Sequence, residues 1–85
     1  MEKYCVITFY STHLALRFEK LLSDNNINVK IIPVPREISA SCGLAGRFLK
    51  EDSQKVVLLS KESKIEYEHI YSFENNKYIE LEKSL

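Results

Sequence analysis

Apolar and polar positions change period several times along this chain, and each change marks an element. Tyr4 to Phe9, YCVITF, is a run of β-branched and aromatic residues that predicts a buried strand, with Cys5, Ile7 and Phe9 on one side. Ser11 and Thr12 follow as cap candidates. From residue 12 to 24 the period becomes helical. Leu14, Phe18, Leu21 and Leu22 share a face, His13, Arg17 and Lys20 fall elsewhere, and the turn-forming Asp24-Asn25-Asn26 ends the pattern. NVKIIPV, residues 28–34, predicts a second strand, which Pro33 and Pro35 stop because proline cannot donate to a ladder and restricts the residue before it.

The second half of the chain is less uniform. Leu44 to Leu49 reads as a short third strand interrupted by Gly46. Asp52 or Ser53 can cap a helix over QKVVLLSKES, but KVVLLS also reads as a strand, so residues 53–62 stay open between the two. KIEYEHIYSF, residues 64–73, alternates: Ile65, Tyr67, His69, Tyr71 and Phe73 fall on one face, Glu66 and Glu68 on the other. Asn75-Asn76 can then turn the chain into KYIEL. The order βαββαβ predicts an α+β, ferredoxin-like sandwich: an antiparallel sheet with two helices on one face and a short C-terminal β-hairpin extension. At 85 residues it is a single domain, residues 1–85, with room for one thin core.

Composition narrows the function classes. Hydrophobic residues at 45% and charged ones at 28% suit a folded globular domain rather than a disordered or repeat chain. Twelve Lys plus Arg balance twelve Asp plus Glu, and no basic run appears, so the electrostatic footprint of a nucleic-acid binder is missing. Apolar runs such as VVLL at 56–59 fall far short of the roughly 20 residues of a membrane span, and MEKYCVITFY lacks a signal peptide's layout. The expectation is a cytoplasmic protein with no membrane partner. Its two cysteines form neither a CxxC nor a disulfide framework, so thiol chemistry would use one cysteine or a partner's.

Cys42, in PVPREISASCGLA, is the residue around which such chemistry would be organised. In the expected topology the β1-α1-β2 crossover makes the first two strands parallel, so YSTH at 10–13 should lie beside SASCG at 39–43. Ser11, Thr12 and His13 belong to the first turn of a helix, whose unpaired N–H groups favour an anion, and Arg36 and Arg47 are expected to add full charges. A cysteine of ordinary pKa, about 8.5, is a few per cent ionised at neutral pH, and lowering it to about 7 would ionise about half. Gly43 leaves the sulfur sterically open, while Ser39 and Ser41 offer hydroxyls to a held atom.

The residues alone leave a second reading open, in which Cys42 is a small buried hydrophobe. Cys5, alternating with Ile7 and Phe9, is expected to be core. His13 is a base candidate or a solvated side chain, His69 is expected to pack, and no metal site is predicted. Tyr67, Tyr71, Phe73 and Tyr78 suit core packing or a free sheet face used by a homodimer.

The segments YCVITFYSTHLAL and PVPREISASCGLAGRF together resemble the selenium/sulfur (Se/S) carrier-like proteins, over residues 4–73. What the resemblance implies is a bacterial domain tied to selenium or sulfur handling, in which Cys42 carries the atom as a persulfide or selenosulfide. Such a protein acts stoichiometrically, needs no metal or organic cofactor, and exchanges the atom with a donor such as a cysteine desulfurase and with an acceptor protein. Gly46 departs from the bulkier residue expected there, which bears on local strand geometry rather than on the thiol. Two other classes compete: a non-catalytic interaction or small-anion-binding module, and a thiol redox sensor.

Overall fold

The structure, a computed structural model, describes residues 3–83, so the outermost residues of the expected 1–85 domain lie outside the described ones. The element order is β1 (Tyr4–Thr8), α1 (Thr12–Asp24), β2 (Val29–Pro33), β3 (Leu44–Leu49), α2 (Ser53–Glu62), β4 (His69–Glu74) and β5 (Lys77–Lys83). The strands form one antiparallel sheet in the order β2-β3-β1-β4-β5. β1 and β2 flank β3 and run parallel to each other, as a ferredoxin-like βαββαβ unit requires, and β5 extends the sheet beyond β4. No described helix is long and apolar enough to cross a membrane.

Both helices cover one face. Phe18 and Leu22 of α1 and Val56 of α2 pack with Cys5, Ile7, Phe48 and Ile70 of the sheet. Ser11 caps α1 by accepting a hydrogen bond from the Leu14 N–H at 3.3 Å, and Asn26, at φ 59, turns the chain out of it. The ambiguous residues 53–62 are helical, entered through a short 3-10 turn over Lys50–Asp52 that the sequence did not announce. Asp52 stands at the cap position but makes no side-chain capping bond.

β3 is continuous through Gly46, contrary to the expected interruption. A Cβ there would lie 2.8 Å from Cε2 of Phe18 and 3.2 Å from Cγ2 of Ile7, so glycine is what lets the α1 ring settle on the strand. The bulkier residue expected at this position has no room.

The alternation predicted over residues 64–73 is also corrected. β4 begins only at His69, and the irregular stretch before it shifts the phase. Ile65 and Tyr67 enter the core beneath the helices, but within β4 the core-facing residues are Ile70 and Ser72, opposite Ile7 and Cys5. Tyr71 and Phe73 therefore point to the other face, opposite Val6 and Tyr4. Asn75 and Asn76, at φ 52 and 62, make the two-residue turn into β5.

That other face is not wholly free. Ile38, from the segment between β2 and β3, folds onto Val6 and Ala45, both completely buried in a cluster that Ile32, Val34 and Tyr71 also pack against. The segment covers the half of the face at the C-terminal ends of β1 and β2 and leaves the other half open.

Candidate functional site

The parallel run of β1 and β2 brings the start of α1 and the β2-β3 segment together, as the topology argument expects. The Cys42 Sγ lies 3.5 Å from the Thr12 Oγ1, on the first residue of α1, and accepts a hydrogen bond from the Leu44 N–H at 3.4 Å. The segment is closed by the Val34 N–H donating to the Gly43 carbonyl and the Ile38 N–H donating to the Pro35 carbonyl. Cys42 is 6% exposed, and beside it a Cβ on Gly43 would meet nothing within 4 Å. The sulfur is thus tucked against a helix start, next to an open flank.

Glu68 completes the arrangement. It stands just before β4, and its own N–H donates to the Thr8 carbonyl at 2.7 Å, fixing it at the end of β1. Its carboxylate takes two hydrogen bonds from Ser41, one from the N–H at 2.9 Å and one from the hydroxyl at 2.6 Å. Desolvation works against the charged carboxylate here, but the two Ser41 bonds and the nearby His69 outweigh it and hold Glu68 below the ordinary carboxylate range. The residue adjoining Cys42 is therefore pinned to the sheet by an ionised clasp.

Glu68 was missed from sequence because the alternating pattern put it on an outward strand face. Its partner lies 27 residues away, and no local spacing links them. Ser41 is positioned by this clasp, and Ser11 serves as helix cap. Ser39, Arg36 and His13 are exposed nearby, while the thiol's hydrogen-bond contacts among the described residues are with Thr12 and Leu44. Arg47 is not brought to the thiol. It lies three residues along β3 from Leu44, with its guanidinium 5.1 Å from the centre of the Tyr4 ring.

Cys5 offers a contrast within the same chain. It is fully buried near the start of β1, the central strand, and burial pushes its thiol up, only partly offset by Lys50.

Fold and site together define a ferredoxin-like domain that presents one hydrogen-bonded thiol at the end of its sheet. The chain belongs to the family described as "Putative Se/S carrier protein-like", whose model matches residues 4–72. No curated protein and no solved structure matches it.

Proposed function

We propose that the protein carries sulfur or selenium as a single atom on Cys42. The observation that supports this most is the placement of the Cys42 Sγ between the Thr12 hydroxyl and the Leu44 N–H. Both groups can donate to a thiolate, and to the inner sulfur once a second atom is attached. The family's description as Se/S carrier-like points the same way.

In the loading step the Cys42 thiolate attacks the outer sulfur of a donor persulfide, R–S–S–H, such as that of a cysteine desulfurase. The donor S–S bond breaks, R–S⁻ leaves, and Cys42–S–S–H forms with the outer proton retained. Unloading reverses the roles: an acceptor nucleophile takes the outer sulfur and the Cys42 thiolate is restored. No electrons are gained or lost overall, so no redox cofactor enters. The selenium version differs only in the transferred atom.

An internal disulfide competes poorly. Cys5 pairs with Phe48, and the stretch of β3 from Leu44 to Phe48 alone spans about 13 Å, well beyond the roughly 7 Å that a disulfide's Cα atoms allow.

The test is intact-mass analysis after incubation with a cysteine desulfurase and cysteine. The wild type and a Cys5→Ala variant should gain one sulfur, about 32 Da, and a folded Cys42→Ser variant should gain none. An unchanged wild-type mass, or an equal gain in Cys42→Ser, overturns the reading.

A further inference from the structure

A cavity lies at the opposite end of the sheet from Cys42. It has a volume of about 820 Å³, and its walls include the uncovered half of the open face, with Tyr4, Lys30, Arg47 and Phe73. Two cations mark that half. Lys30 and Arg47 stand directly opposite each other on β2 and β3, and like charges so placed repel. Neither has an ion-pair partner among the described residues.

The carboxylate on the cavity wall is already engaged. Glu74 is bound by Lys50 at 2.5 Å and by Lys3 at 3.3 Å, and accepts from the Ser72 hydroxyl at 2.7 Å. The hydrogen bonds from Lys50, Ser72 and Lys3 hold its pKa down to about 2, so at neutral pH its charge is committed to them. The cationic pair is left for a different anion.

Beside the pair runs a row of rings. Tyr4 stacks on Phe73 with centroids 5.0 Å apart, Phe73 meets Tyr78 at 4.7 Å, and the Arg47 guanidinium lies 5.1 Å from the centre of the Tyr4 ring. Packing against Tyr4 fixes the guanidinium while leaving Arg47 exposed, and a fixed guanidinium pairs two-pronged with a carboxylate or phosphate. The volume lies within the range of small-molecule sites, roughly 300 to 1,000 Å³.

We propose that this groove binds a small molecule made of a flat ring joined to an oxyanion, the oxyanion meeting Arg47 and Lys30 and the ring lying along Tyr4 and Phe73. Its occupant would set a negative charge beside the two facing cations. Carboxylate and phosphate share the required chemistry, and separate probes tell them apart.

The test is an NMR titration of the labelled full chain with adenosine 5′-monophosphate and, separately, with phenylacetate. At least one should shift the amide signals of Tyr4, Lys30, Arg47 and Phe73, and comparing inorganic phosphate with acetate on the same signals ranks the oxyanions. For the probe that binds, removing the oxyanion (adenosine, benzyl alcohol) or the ring (inorganic phosphate, acetate) should weaken binding at least about tenfold, as should Arg47→Gln and Lys30→Gln. Both substitutions are at exposed positions, and an unchanged amide spectrum elsewhere confirms the fold. The inference is overturned if neither probe shifts these signals, if the uncharged analogue binds equally well, or if the shifts fall on residues 34–43 instead. Cys42 loading is measured at the other end of β1, so the two proposals fail independently.

Discussion

Two regions of this domain each hold one cysteine and one glycine, and they use them in opposite ways. In the centre of the sheet, Cys5 is sealed beneath the helices, and Gly46 is there because Phe18 occupies the space a side chain would need. In the β2-β3 segment, Cys42 has hydrogen-bond partners on its sulfur, and Gly43 has empty space where a side chain would be. The central pair is explained by packing alone. At the sheet's end, packing explains neither why the sulfur is met by a hydroxyl and an N–H nor why its flank is open. The same two residue types thus meet packed carbon atoms in one region, and hydrogen-bonding groups or open space in the other.

The largest expected difference is in thiol reactivity. Cys42 should be alkylated by iodoacetamide through local opening of residues 34–43, whereas Cys5 must wait for opening of the whole sheet. With global stabilities of small domains at about 5 kcal/mol or more, the rates should differ by about three orders of magnitude, read by peptide mass mapping over time. Equal rates would erase the distinction between the regions.

The glycines should part in stability. Gly46→Ala forces Phe18 to move and should cost about 1 to 3 kcal/mol in urea unfolding, while Gly43→Ala should stay within about 0.5 kcal/mol. Similar costs at both would mean that the segment is packed as tightly as the sheet.

Much of this contrast was legible beforehand. Regular periods disclosed β1 and α1, and the parallel run of β1 and β2 across their helical crossover placed Thr12 beside Cys42 thirty residues away. What stayed hidden depended on contacts without a local signature. Gly46 looked like an interruption because the Phe18 ring that requires it belongs to another element. Residues 64–68 looked like strand because alternation persisted in sequence while the backbone left the ladder, and that error concealed Glu68. Ile38, a lone apolar residue among polar ones, gave no sign that the segment folds back over the sheet.

The smallest predicted effects concern the Glu68 clasp. Glu68→Ala frees Ser41 and should speed Cys42 alkylation about 3- to 10-fold, with Cys5 unaffected. Because the folded-state pKa of Glu68 is lowered, its contribution is complete above the ordinary carboxylate value and disappears as pH falls through the lowered one. The Ser41 amide signal, followed by NMR, should accordingly titrate below pH 4.5. A midpoint at or above that value would mean that the clasp does not favour the ionised carboxylate.

The central claim is that Cys42 holds an atom it can give up, and discharge tests it most directly. Protein loaded by a desulfurase and freed of donor is treated with cyanide, which removes an outer sulfur as thiocyanate. About one thiocyanate per chain, with the added mass lost from the Cys42 peptide and never found on the Cys5 peptide, is the predicted result. An adduct that cyanide does not remove, or one mapped to Cys5, contradicts the account.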